Sequence, residues 1–226
     1  MPSLPRLCLM LVTEPSPRLP EIVAEAVAGG VDIVQWRDKN AAPEAIFDAA
    51  WGVREVTRQR SLLVVNGWPL YSPSLVRKIG ADGVHLPGNS PHSAEGVRRA
   101  IAGGLVGRSV HSLASAQQAQ EEGADYLIAG TIFASQSHPE VEPAGLGFLR
   151  QVCAAVSVPV LAIGGVTPKN AGECLAAGAA GAAVLSPIMR AANPCGAARA
   201  YRQALDAAWK EIAPQPPILG EPEERR

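Results

Sequence analysis

No excess of charge of either sign marks this chain. Its 226 residues carry 20 basic against 21 acidic side chains, a formal charge of −1, with no dense Lys/Arg run. That balance argues against a nucleic-acid-binding surface. Cysteine is scarce and scattered: Cys8, Cys153, Cys174 and Cys195 form no CxxC pair and accompany no paired histidines. Neither a zinc site nor a disulfide framework is expected, and free thiols suit a reducing cytoplasm. Long apolar runs are missing too. Leu7 to Val12 is too short to cross a membrane. Pro15 and Pro17 follow it without a small-residue cleavage site, so it reads as a first strand rather than a signal peptide. No serine sits in a GxSxG setting and no cysteine pairs obviously with a histidine, so nucleophilic catalysis has little support.

What is present is a repeated alternation. The chain is 47% hydrophobic and long enough to bury a sizeable core. Short apolar strands are predicted at 6–13, 31–36, 62–66, 83–86, 106–111, 125–130, 160–163 and 181–185. Helices are predicted between them, at 19–28, 43–59, 69–79, 91–101, 115–122, 146–155 and 169–177, with a last one over 195–212. Eight such units make a (β/α)₈ TIM barrel the first choice, ahead of a doubly wound open sheet. No linker interrupts the pattern, so residues 1–212 read as one domain. The proline- and charge-rich remainder, 213–226, is expected to be a disordered tail.

In such a barrel, chemistry gathers where strands end. The segment PVLAIGGVTPKN (159–170) combines a buried strand, a Gly164-Gly165 turn and a helix start, with Thr167 as N-cap and Pro168 at the first helical position. Bare N–H groups at the two glycines suit a phosphate, although an ordinary strand–helix turn fits the same residues. Ser186-Pro187 follows the eighth strand and completes the pair of loops from which barrels often build a phosphate site. QWRDK (35–39) sets Gln35, Arg37 and Lys39 on one side of the chain. Its cations suit a phosphate or carboxylate; a surface salt bridge with Asp38 is the plainer alternative. His111 ends a strand and could move protons near neutral pH, or serve as a hydrogen-bonded structural histidine. His85 reads as mainly structural. Asn66, Ser135, Ser137 and His138 complete the polar set at the strand ends.

Taken in order, QWRDK (35–39), VVN (64–66), GADGVHL (80–86), SVHSLASA (109–116), GADYLIAGTIF (123–133), PVLAIGGVTPKN (159–170) and GAAVLSPI (181–188) resemble the thiamine phosphate synthase and TenI superfamily. The resemblance runs from Leu7 to about Tyr201. It implies the barrel fold and a thiazole phosphate substrate, its phosphate on Gly164, Gly165 and Ser186 and the rest met by Gln35, Arg37, Lys39, Asn66, Ser135, Ser137 and His138. Synthases of this family join hydroxymethylpyrimidine diphosphate to thiazole phosphate, with magnesium. Where their pattern places two aspartates and a lysine, this chain has Gly67, Ser90 and His138, which weakens a metal-held leaving diphosphate. The TenI branch, the thiazole tautomerases, needs no metal or other cofactor, and its proton-transfer histidine maps onto His111. The sequence reading therefore ranks a metal-independent thiazole tautomerase first, a divergent synthase second and a non-catalytic phosphate-binding barrel third. A small-molecule partner is expected, with no nucleic acid and no membrane. The cytoplasm is the expected location, and assembly into a homo-oligomer is compatible with all three readings.

Overall fold

Period-two alternation in each strand sends one set of side chains inward and the other outward. In the computed structural model, which describes residues 4–5, 7–38, 43–67, 73–135 and 140–212, that alternation closes a barrel. Eight parallel strands pair in chain order: β1 (Cys8–Val12), β2 (Ile33–Trp36), β3 (Leu62–Asn66), β4 (Gly83–Leu86), β5 (Leu105–Val110), β6 (Tyr126–Gly130), β7 (Val160–Ile163) and β8 (Gly181–Val184), with β8 returning to β1. The helices outside are α1 (Leu19–Ala28), α2 (Pro43–Thr57), α3 (Pro73–Ile79), α4 (Ala94–Ala100), α5 (Leu113–Glu121), α6 (Gly145–Ala155), α7 (Ala171–Ala176), α8 (Ser186–Met189) and α9 (Pro194–Ile212). The inward set, with Met10, Ile33, Val64, Tyr126, Ile128, Leu161 and Ala183, fills the barrel as one cluster. The outward set packs with the helices as a second, larger core. Among the described residues no helix is long and apolar enough to cross a membrane.

The expected helix starts shift where serines take over the first turn. Ser93 caps α4 by accepting from the Gly96 N–H, so that helix begins after Pro91 and His92 rather than at them. Ser112 and Ser115 cap α5 reciprocally, and the helix starts at Leu113 rather than Ser115. Thr167 and Asn170 bond across a turn ahead of α7: the Thr167 N–H reaches Asn170 Oδ1 at 2.7 Å. That turn delays the helix to Ala171. The one-turn α8 falls between the eighth strand and the last helix and has no counterpart in the expected elements. The expected tail, 213–226, lies outside the described residues, as do 69–72 of the third expected helix.

The closed end of the barrel is built from a repeat. Before each even-numbered strand a helix ends on a glycine of positive φ, namely Gly30, Gly80, Gly123 and Gly178. The next N–H in each case, from Val31, Ala81, Ala124 or Ala179, reaches back five residues to a helix carbonyl, the Schellman closure. Then comes Asp32, Asp82, Asp125 or, in the fourth copy, Ala180. Each aspartate takes a backbone N–H from the preceding strand (Leu9 at 2.7 Å, Leu63 at 2.8 Å, Val106 at 2.7 Å) and one arginine (Arg202 at 3.0 Å, Arg54 at 2.7 Å, Arg98 at 2.7 Å). These carboxylates hold strand starts in register and lie far from the chemistry at the other end. Asp82→Ala strands the Leu63 N–H and Arg54 without their shared acceptor, and should cost about 1–3 kcal/mol. A lower urea midpoint with unchanged slope would show it; an unchanged midpoint would make the contact idle.

Candidate active site

The open end carries the polar residues. Gln35 points into the barrel, its Nε2 4.0 Å from Met10 Sδ, and Asn66 follows the inward Val64 by two positions. His85 lies under the mouth, 1% exposed. Its Nδ1 is 3.1 Å from the Tyr126 hydroxyl and its Nε2 2.9 Å from Ser109 Oγ. Burial, aided by the nearby Arg37 charge, pushes its pKa down to about 3, so the ring is neutral and donates through one nitrogen while accepting through the other. Arg37 is half-buried, with its N–H on Thr13 Oγ1 at 2.9 Å. Burial lowers its pKa and the Glu14 carboxylate opposes that shift.

His111 stands higher on the rim and is exposed. Its Nδ1 is 2.7 Å from the Gly130 carbonyl. A carbonyl only accepts, so Nδ1 carries the proton and the Nε2 lone pair is the one available. Glycine at 88 leaves room for that edge: a Cβ there would sit 3.2 Å from His111 Cδ2 and 3.4 Å from Nε2. The ring is thus fixed to the end of β6 by one nitrogen, with the lone pair on the other.

A cavity of about 580 Å³ opens beyond β7 and β8, lined by Thr131, Ser135, Gly164, Gly165, Ser186 and Arg190 among others. No acceptor among the described residues takes the N–H groups of Gly164 or Gly165, which leaves two backbone donors for an anion. Positive φ, 90° and 62°, demands glycine at both places. Packing demands it again. A Cβ on Gly164 would come within 2.4 Å of Thr131 Cγ2, and one on Gly165 within 2.3 Å of the Ala134 carbonyl oxygen. The turn is braced from behind by Asn170, whose Nδ2 donates to the Gly165 carbonyl at 3.1 Å, and by the Tyr201 hydroxyl on the Val166 carbonyl at 2.8 Å.

The corner between β3 and β4 does not suit the magnesium that the family resemblance implies. Among the described residues no three His, Cys, Asp or Glu side chains gather to hold a metal. Gly67 has φ of 109°, so an aspartate there would be strained as well as absent. Ser90 is buried, and its Oγ accepts from the His92 N–H at 3.3 Å. A cation sits behind it instead: Arg108 donates to the Ser90 carbonyl at 2.6 Å and the His92 carbonyl at 3.3 Å, and pairs with Glu122. Hard divalent ions favour carboxylate and water oxygens, and this loop offers carbonyls already claimed by a guanidinium.

Of the residues singled out from the sequence, Ser135, Gly164, Gly165 and Ser186 meet in one cavity. Gln35 and Arg37 stand at the end of β2 and Asn66 at the end of β3, outside the lining of that cavity, and His111 is tied through Gly130 to the end of β6. Lys39, Ser137 and His138 lie outside the described residues. Arg190 and Glu14 were not singled out. Arg190 had a faint signal, four positions after Ser186 and so about one helical turn beyond it.

The pattern of the family described as "Thiamine monophosphate synthase" matches residues 9–188, from β1 into α8. The thiamine-phosphate synthase of Methanoculleus marisnigri is 39% identical over 187 residues, covering 82% of this chain and 87% of that protein. That of Natronomonas pharaonis is 40% identical over 191 residues, covering 82% and 87%. Among solved structures, thiamine phosphate pyrophosphorylase from Pyrococcus furiosus superposes with a TM-score of 0.78 at 31% identity, covering 90% of this chain and 97% of that one. These relatives carry the name of the synthase and not of the tautomerase. They favour the condensation, ranked second from sequence, over the proton transfer ranked first. With one family pattern spanning the barrel and relatives matched over most of their length, the chain belongs to the thiamine phosphate synthase/TenI family of thiamine-biosynthesis enzymes.

Proposed function

We propose that this enzyme seats a thiazole phosphate on the Gly164-Gly165 turn and joins it to a hydroxymethylpyrimidine diphosphate, releasing pyrophosphate. The observation that carries the substrate is the cavity at β7 and β8, lined by Gly164 and Gly165, whose backbone N–H groups have no acceptor among the described residues. The relatives near 40% identity support the choice of reaction. In it the thiazole nitrogen forms a bond to the pyrimidine methylene carbon as the carbon–oxygen bond to diphosphate breaks, and the diphosphate leaves with the electron pair. This chain's own contribution is to hold the phosphate, orient the ring nitrogen, and offer Arg37 to the departing negative charge. No step is assigned to a metal, because the donors at 67 and 90 do not fit one. Purified protein with both substrates, with and without magnesium, tests this. Steady, equal formation of thiamine phosphate and pyrophosphate is expected, and a folded protein that makes neither would end the condensation reading.

A second reading is favoured by one specific observation, the Gly67 and Ser90 corner. It is proton transfer on a thiazole carboxylate phosphate, which aromatises the ring. His111 Nε2 would take a proton from one ring position and return it at another, with the same phosphate seat and with Arg37 facing the carboxylate. Conversion of that substrate in the absence of condensation would select it.

A further inference from the structure

Among the described residues that line the cavity at β7 and β8, Arg190 is the one charged side chain. It follows α8 directly, on the same side of the barrel as Ser186. Its guanidinium is not turned to the cavity alone. Nε and Nη2 donate to the two carboxylate oxygens of Glu14, at 2.7 and 2.9 Å, across a sequence separation of 176 residues. Glu14 stands in the loop after β1, so this fork ties that loop to the phosphate end of the mouth.

We propose that Arg190 is a phosphate ligand held in reserve by Glu14, and that an arriving phosphate takes over the fork that the carboxylate now fills. This rests on the phosphate seat proposed above and adds to it a side-chain ligand and a displaceable competitor. Two parallel N–H donors match two phosphate oxygens as well as they match a carboxylate. The exchange is easy because the pair is exposed: 67% of the Arg190 side chain and 26% of Glu14 remain accessible, and ion pairs in water hold weakly. The ligand gains more than the carboxylate gave, since a phosphate on the Gly164-Gly165 turn already has its backbone donors and brings two charges. Glu14 also feels the charge of Arg37, which follows the neighbouring strand β2, so its release frees negative charge from between two cations, Arg190 and Arg37.

The test is calorimetric titration of the full chain with hydroxyethylthiazole phosphate at low ionic strength. Four proteins are compared: parent, Arg190→Gln, Glu14→Gln and the double variant, each first shown to be folded by thermal melting. Arg190→Gln should weaken binding about tenfold, in line with loss of charge-assisted bonds at an exposed site. Glu14→Gln should tighten it about threefold by removing the competitor, and the double variant should match Arg190→Gln. Binding by the parent with no loss in Arg190→Gln overturns Arg190 while leaving the backbone seat standing. No binding by the parent overturns the seat and this proposal together. Weakening in Arg190→Gln with no gain in Glu14→Gln overturns the competition.

Discussion

Gly165→Val will abolish thiazole phosphate binding, and it will do so by dislodging the loop after β6 as well as by crowding the phosphate. The first atom of the new side chain would lie 2.3 Å from the Ala134 carbonyl oxygen and 2.7 Å from Phe133 Cβ, on a residue with φ of 62°. Left-handed backbone disfavours a β-branched residue, and forced overpacking adds to it. Together they should cost about 3 kcal/mol, lowering Tm by roughly 6–12 °C for a chain this long. The Phe133 N–H, now 3.0 Å from the Gly164 carbonyl, would lose its partner as the loop moves. Sequence reasoning assigns these glycines to a ligand; the packing gives them a second reason to be glycine. Asn170→Ala separates the two. It removes the brace on the Gly165 carbonyl and the acceptor of the Thr167 N–H, and leaves the glycines' own atoms in place. Binding should weaken several-fold with a smaller fall in Tm than Gly165→Val gives, since about 1 kcal/mol per lost bond is at stake. Equal affinity in Asn170→Ala would mean the turn holds its shape without help, and a Gly165→Val protein with parental Tm and affinity would remove the turn from the site.

What was legible in the sequence follows the reach of each signal. Strand positions show because two faces of one strand are buried, and the eight short apolar runs all became staves. Helix starts misled by two or three residues wherever a serine captured an N–H three positions on, as Ser93 and Ser112 do. The repeated glycine and aspartate ahead of β2, β4 and β6 was present in plain letters, yet its purpose needs the neighbouring strand's N–H in view. The Gly164-Gly165 turn was legible because strand and glycines adjoin, whereas the helix expected to open at Thr167 and Pro168 begins only at Ala171. Arg190 was not legible, because its partner Glu14 is 176 residues away and its spacing of four from Ser186 is the one local signal it carries. Choice of reaction divides the same way. Gly67 and Ser90 are local departures that point to metal-free chemistry, whereas likeness over the whole barrel points to the synthase.

His111→Asn will tell the two reactions apart, because only one of them moves a proton on the ring. In the condensation a carbon–oxygen bond breaks and a carbon–nitrogen bond forms, and the thiazole keeps its protons, so a base beside the ring has little to do. In the tautomerisation one proton must leave and one must return. The imidazole is arranged for that: Nδ1–H is committed to the Gly130 carbonyl at 2.7 Å, and Nε2 is left as the nitrogen that can accept. Asparagine can keep a donor near Gly130 but cannot accept and release a proton in that range. Thiamine phosphate formation should therefore fall by less than about tenfold, the loss being one of positioning, whereas proton transfer would fall by about 10²- to 10⁴-fold. Both rates are measured on one preparation, with affinity for thiazole phosphate as the control for the seat. Condensation that survives the substitution supports the transferase reading. A parent protein that makes no thiamine phosphate, but isomerises the carboxylate substrate at a rate that collapses in His111→Asn, assigns the tautomerase. Tautomerisation that persists at the parental rate would return His111 to a structural post that ties β5 to the end of β6.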